Sequence, residues 1–344
     1  MSDANATPAI EQTITRQMRA WITDSVMPEF EITLIPLLAE DDGELVATVV
    51  RKSTASGSRR AFLYVHGYVD YFFHEHVANG VLDADMDFYA LELRRYGRSL
   101  RGRNRPNYCT NVEQYFAEIT QAIDIAINED GHDSVVLYGH STGGLVASLY
   151  ASQGDRREKI SALVLNSPFF EFDISAADQF KLRVAVALGR FIPWFTDGKG
   201  LPPYYGRTLH ATESGEWNYD LRWKPIRGFP TYFGWARAIK LAHAKLQSGL
   251  AIKCPVLVLH SDRSREGESW NDNYFSRDIV LNVDDMRKYS AGLGSNVKRT
   301  EIPGAIHDIM LSREPVRQNA LQQMVQWINN VVPAGQSRAT PSLA

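Results

Sequence analysis

The stretch Val135-Val136-Leu137-Tyr138-Gly139-His140-Ser141-Thr142-Gly143-Gly144-Leu145-Val146-Ala147 constrains this chain more than any other. Its first four residues are β-branched, apolar or aromatic and read as a strand. The run Leu145 to Ala151 reads as a helix built from small side chains. Between them Gly139-His140-Ser141-Thr142-Gly143 fits the pattern G-x-S-x-G, which carries meaning only where a strand precedes it and a helix follows. A serine at the tip of so sharp a turn sits in a strained backbone, and its neighbours two before and two after must be nearly free of side chain. Gly139 and Gly143 meet that requirement.

Around this turn the chain reads as an α/β fold. Residues 31–38 and 44–50 flank Asp41-Asp42-Gly43, the signature of a hairpin. From Ala61-Phe62-Leu63-Tyr64-Val65 onward the strand candidates are apolar on both faces, as in a parallel sheet covered by helices on each side. They recur at 88–91, 134–138, 162–165, 256–259 and 297–302, with helical stretches at 112–127, 143–152, 284–293 and 315–332. The expectation is a mostly parallel, eight-stranded sheet with helices on both faces. Residues 14–27 carry apolar side chains at helical spacing and are expected to form a helix.

The alternation breaks between Pro168 and Pro255, where no buried strand is apparent. That segment holds helical runs at 176–191 and 235–247, a Pro-, Gly- and aromatic-rich section at 193–230, and four of the seven tryptophans, Trp194, Trp217, Trp223 and Trp235. A long insertion of this kind is expected to form a lid over a site. About half of its aromatics would build its own small core and the rest would line an apolar pocket. The expected organisation is an N-terminal extension (1–30), a core (31–168 and 255–332), a lid or cap (169–254) and a flexible tail (333–344), with residues 1–12 disordered.

Composition removes other classes of function. A net charge of −3 gives no basic field for nucleic acid or anionic lipid. No run of eighteen apolar residues offers a membrane span, and the polar start lacks the order of a secretory signal. Cys109 and Cys254 are the sole cysteines, and inert thiols in a reducing cytoplasm are expected of them.

A serine hydroxyl needs a base within hydrogen-bond reach and a third group to hold that base. In a strand–elbow–helix arrangement the acid and the histidine follow the serine in sequence. Of His210, His243, His260 and His307, the first two fall in the insertion and His260 ends a strand. His307 lies on the loop Ile302-Pro303-Gly304-Ala305-Ile306-His307-Asp308, at the sheet edge where such sites collect, and is the expected base. Two acids compete. Asp262 directly follows a strand. Asp278 is separated from His307 by one loop, one helix and one strand, which makes 263–277 an inserted loop and Asp278 the preferred acid. The oxyanion donors are expected to be the main-chain amides of Thr142 and of Tyr68, in the loop His66-Gly67-Tyr68-Val69. Two patterns invite other readings. His74-Glu75-His76 could suggest a metal, but i and i+2 diverge on a helix, and a solvated helix start is expected. The arginines at 94, 95, 98, 101, 103 and 105 are expected on a surface loop beside acids.

With these residues assembled, the sequence resembles the α/β-hydrolase superfamily, in its monoacylglycerol lipase/lysophospholipase-like branch of serine aminopeptidase-type hydrolases. The matching pieces are His66-Gly67, Tyr96-Gly97-Arg98-Ser99, Gly139 to Gly144 and Gly304-Ala305-Ile306-His307-Asp308. The branch often carries D-x-R-G-x-G-x-S where this chain has Glu92-Leu93-Arg94-Arg95-Tyr96-Gly97-Arg98-Ser99. The resemblance and the residues together imply a serine hydrolase acting on small carboxylic esters with an apolar acyl group or of monoglyceride type, with no metal or organic cofactor required. An amidase, peptidase or acyltransferase on the same residues, or a non-catalytic binding protein on the same fold, are the alternatives.

Overall fold

The computed structural model describes residues 19–333, apart from residue 268. The expected disorder of 1–12, most of the expected tail and the start of the 14–27 helix lie outside these residues. Within them one sheet has nine strands in the order β1-β2-β3-β5-β4-β6-β7-β8-β9. The first three are Ile22–Thr23 (β1), Glu31–Glu40 (β2) and Gly43–Lys52 (β3), joined to one another antiparallel. The rest are Arg60–Val65 (β4), Asp87–Glu92 (β5), Ser134–His140 (β6), Ile160–Asn166 (β7), Val256–Ser261 (β8) and Val297–Ile302 (β9). From β5 to β9 every neighbouring pair is parallel, while β3 meets β5 antiparallel.

The ninth strand corrects the expected count of eight, and it corrects the expected helix as well. Ile22 pairs with Ile32 at the sheet edge, where its side chain is largely exposed. Trp21 lies under the Arg51 guanidinium, 3.7 Å from its ring centroid. Ile22 and Thr23 pair with β2 in place of the expected helix, while the Trp21 ring packs against the core.

The helices are Glu75–Asp83 (α1), Phe116–Asp124 (α2), Thr142–Gln153 (α3), Ala176–Leu188 (α4), Tyr204–Leu209 (α5), Phe233–Gln247 (α6), Val283–Ser290 (α7) and Glu314–Val331 (α8). Alternation along the strands feeds two cores. Phe62 and Tyr64 of β4 face one core, with Val77 and Val81 of α1 and Met324 and Ile328 of α8. Ala61, Leu63 and Val65 face the other, with Ile119 and Ala122 of α2, Leu145 and Leu149 of α3, and Ile239 and Leu246 of α6. Ten consecutive residues of α3, from Thr142 to Ala151, are buried, which is why that helix has no polar face. The insertion between β7 and β8 holds α4, α5 and α6. Of these, α6 packs into the core beside α3, whereas α4 buries none of its residues fully.

Topology sets where a site can form. The chain enters the parallel sheet at β4, steps to β5 on one side, and returns to β6 on the other. The loops leaving the C-terminal ends of β4 and β6 therefore meet at a switch in strand order, the usual place for a ligand in an open α/β sheet.

Candidate active site

Ser141 follows β6 at φ 51° and ψ −117°, a strained conformation for a residue with a side chain. Its amide donates to the Asn166 carbonyl at 3.0 Å, and its carbonyl accepts from the Phe169 amide at 3.0 Å. These bonds tie the turn to the end of β7. The loop after β4 passes directly over it: a Cβ on Gly67 would lie 3.2 Å from that of Ser141. Among the described residues neither the Tyr68 nor the Thr142 amide has a hydrogen-bond acceptor.

His307 Nε2 lies 3.0 Å from Ser141 Oγ, and its Nδ1 lies 2.8 Å from Asp278 Oδ2. All three residues are buried. The second Asp278 oxygen accepts from the amides of Val280 and Leu281 at 2.9 and 2.8 Å, which fixes the carboxylate. Asp262 is elsewhere engaged, accepting from the Gly304 amide at 3.0 Å and from Arg263 Nε at 2.8 Å. The intervening segment closes on itself: the Asp278 amide donates to the Arg263 carbonyl and the Arg265 amide to the Asp278 carbonyl. Residues 265–277 thus form a loop with a zipped neck that delivers Asp278 to His307. The other late histidines have their own partners, His210 at the Tyr219 carbonyl, His243 at the Phe169 carbonyl and His260 at the Ser261 carbonyl.

His66 holds the β4 loop from behind. Its Nε2 accepts from the Leu93 amide at 3.1 Å and its Nδ1 donates to the Gly67 carbonyl at 2.8 Å. Complete burial pushes its pKa down to about 4, so it serves as a neutral strut. Burial does the same to His140, also down to about 4, with its Nδ1 donating to the Asn166 carbonyl at 3.2 Å.

Asp70, His74, His140, Asn166, Lys224 and Asp308 form a buried polar cluster that the sequence did not announce. Asp308 accepts from Asn166 Nδ2 at 2.7 Å and lies 2.9 Å from His74 Nε2. Asp70 accepts from Lys224 Nζ at 2.7 Å, and all of these residues are buried. Burial acts to raise the Asp70 pKa, but the Lys224 ammonium, aided by His74 and His140, overcomes it and holds the carboxyl below its ordinary value. His74 is therefore no solvated helix start. Its imidazole is drawn in by Asp308, while His76 Nε2 turns to the Met310 carbonyl at 2.8 Å. The arginine cluster needs a similar correction. Arg94, Arg95 and Arg98 are buried, because Glu118, Asp42, Asp24 and Glu92 meet their guanidinium forks. Arg105 pairs with the exposed Asp41, as expected of a surface site.

A cavity of about 390 Å³ opens between α4 and α6. Its walls are apolar at Phe172, Ile174, Leu182, Val186 and Ala187, with Glu171 and Lys240 at the polar side. Phe172 packs edge-on against Phe169, whose amide holds the Ser141 carbonyl. None of the four insertion tryptophans lines this cavity. Three stitch the insertion to the body instead: Trp217 donates to the Leu311 carbonyl at 2.9 Å, Trp223 meets Tyr71 edge-on, and Trp235 packs tilted against Tyr68. Trp194 is exposed.

Residues 56–315 match the family described as serine aminopeptidase, S33. The chain belongs to this family of hydrolases. Within it, this member is 25% identical over 281 residues to a monoacylglycerol lipase of Mycolicibacterium smegmatis, covering 78% of this chain and 88% of that protein. A putative monoglyceride lipase of Schizosaccharomyces pombe is 20% identical over 269 residues, covering 77% of this chain but 64% of the longer relative. In structure it is similar to a soluble variant of the monoglyceride lipase of Saccharomyces cerevisiae, with a TM-score of 0.68 at 18% identity over 87% of this chain and 95% of that one. A monoacylglycerol lipase of Paleococcus ferrophilus superposes with a TM-score of 0.62 at 21% identity, over 82% and 98% of the two chains. The fold of this hydrolase is the α/β-hydrolase fold. Among the described residues no helix is long and apolar enough to cross a membrane.

Proposed function

We propose that this protein hydrolyses carboxylic esters through an acyl-enzyme formed on Ser141. The observation that carries this reading is the unbroken relay from Ser141 Oγ through His307 to Asp278, at 3.0 and 2.8 Å. In this reading Ser141 Oγ attacks the ester carbonyl while His307 Nε2 takes its proton and passes it to the leaving alcohol. Asp278 keeps the His307 tautomer and orientation and stabilises the imidazolium. The Tyr68 and Thr142 amides receive the negative charge on the carbonyl oxygen, a contribution worth ~3 kcal/mol for each such donor. Water then enters with His307 as base and releases the acid.

The segment 169–254 is read as a lid, with the core on either side of it at 31–168 and 255–332. The cavity under α4 lies within the range of roughly 300–1,000 Å³ usual for small-ligand sites, and its apolar walls suit an acyl chain. The monoacylglycerol lipases among its relatives point the same way, toward a monoglyceride or a medium-chain ester. A series of p-nitrophenyl esters from acetate to palmitate, run beside a monoglyceride and an aminoacyl anilide, tests this. Medium-chain esters and the monoglyceride are expected to give the highest kcat/KM. Preferential turnover of the anilide would replace the esterase reading with a peptidase one.

A further inference from the structure

Three consecutive residues of the turn after β4 are held by the insertion. Val69 has φ 50°, a left-handed conformation that a β-branched residue adopts only under constraint. The Tyr68 ring lies on Trp235 with centroids 4.1 Å apart, and its hydroxyl donates to Thr231 Oγ1 at 3.3 Å. Gly228 lies beside Val69, where a Cβ would be in van der Waals contact with Val69 Cγ2 at 3.4 Å. Asp70 accepts from Lys224 Nζ at 2.7 Å, and both residues are buried. One run of the insertion, from Lys224 to Trp235, therefore touches each residue of the strained turn.

We propose that this run is a clamp that holds Tyr68-Val69-Asp70 in the shape that aims the Tyr68 amide at the reacting carbonyl, with Lys224 as a positioning residue. The inference rests on the reading of Tyr68 as an oxyanion donor. The charge of Lys224 matters because Asp70 has another carboxylate close by. Oxygens of Asp70 and Asp308 lie within 4.8 Å of each other and of a His140 ring nitrogen. Two buried carboxylates so close repel unless a cation stands beside them. Without Lys224, Asp70 takes up a proton or turns away from its place. Either change removes the anchor next to Val69, and the left-handed turn relaxes toward an ordinary one. Tyr68 then swings with it, and the amide loses its aim while the cavity under α4 is unchanged. The same contacts make the insertion part of the catalytic machinery, since its position and the oxyanion geometry are one variable.

The test compares Lys224→Met, Asp70→Asn and the double variant with the wild type, on p-nitrophenyl acetate and p-nitrophenyl octanoate, with thermal melts on each. Lys224→Met is expected to lower kcat by about 10- to 100-fold for both esters, with little change in KM, as a misaimed oxyanion donor does. The double variant is expected to regain melting temperature, because it no longer buries an unpaired charge, but to keep the loss in kcat, because the anchor beside Val69 is still missing. Trp235→Leu and Thr231→Val remove the other contacts without unpairing a charge, and keep the test open if Lys224→Met folds poorly. They are expected to show the same loss in kcat on acetate. Unchanged kcat on acetate in Lys224→Met, with a raised KM for octanoate, would overturn the clamp and leave the insertion as a binding wall. A fall in kcat that tracks the melting temperature in every variant would overturn it as well. Ester turnover by the wild type is read in the same experiment. Its absence would overturn the esterase reading beneath the clamp, whereas its presence with intact Lys224→Met activity overturns the clamp alone.

Discussion

A serine at φ 51° is tolerated at position 141 because the chain around it is pared down to backbone. A Cβ on Gly143 would run into the carbonyl oxygens of Val65 and His66, so the helix that follows the serine can approach β4 only with glycine there. That requirement is local, which is why the serine and its glycines were legible from a few residues of sequence. The position of His307 beside Ser141 was legible for a different reason, since the fold leaves few places for a histidine to meet the elbow. Asp278 needed an argument about how much chain must separate acid from histidine, and the zipped neck at Arg263, Arg265 and Asp278 is the physical form of that argument. The distinction has a kinetic consequence. Asp278→Asn is expected to lower kcat on p-nitrophenyl butyrate by about 10⁴-fold, since the amide favours the wrong histidine tautomer. Asp262→Asn, which touches only Gly304 and Arg263, is expected to stay within a few-fold of the wild type. The reverse ranking would remove Asp278 from the relay. Asp70 and Lys224 were not legible at all. They stand 154 residues apart, and no local pattern marks either as half of a buried pair.

At the scale of elements, the misread arginines and His74 share one cause. Polar residues in a loop are solvated by default, and that default fails wherever another element brings the opposite charge. Arg98 shows it: Asp24 comes from the segment after β1, and Glu92 from the end of β5, and together they bury the guanidinium. The Arg98 Nε donates to Asp24 Oδ2 at 3.0 Å, and a second nitrogen approaches at 2.6 Å. This pair pins the N-terminal edge of the fold to the loop leaving β5. Asp24→Ala leaves the buried Arg98 with Glu92 as its remaining carboxylate and the Phe72 carbonyl as acceptor, at a cost of about 3 kcal/mol. Urea unfolding is expected to show a lower midpoint with an unchanged slope, and kcat is expected to remain within twofold. An unchanged midpoint would show that Glu92 suffices. The strands were easier to read than these loops because their continuous apolar runs answer to burial on both faces, and burial is what the hydrophobic pattern encodes. β1 escaped notice because two edge residues carry no pattern.

The whole molecule stakes stability on neutral, buried histidines. His66 and His140 are fully buried, with pKa values pushed down to about 4. In the unfolded chain both return to about 6.5. The unfolded state therefore binds protons first as pH falls, and stability is lost between about pH 6.5 and 4. At pH 5 each histidine costs roughly 2 kcal/mol relative to pH 8. Melting temperature is expected to drop steeply across this window, well before carboxylates titrate. A flat melting curve from pH 8 to 5 would mean that these histidines are not held neutral. Sequence alone showed nine histidines and, beyond singling out His307 as the expected base, no means of telling which of the others are struts. Their roles follow from three-dimensional neighbours: Leu93 and Gly67 for His66, Asn166 for His140, and Ser141 with Asp278 for His307.

All of these scales meet at Ser141, the proposed nucleophile. Labelling the purified protein with a fluorophosphonate probe, followed by peptide mapping, tests its role most directly. The account predicts one adduct per chain, on Ser141, formed rapidly in the wild type, slowed by orders of magnitude in His307→Ala and absent in Ser141→Ala. An unlabelled wild type, or an adduct on any other residue, would contradict it.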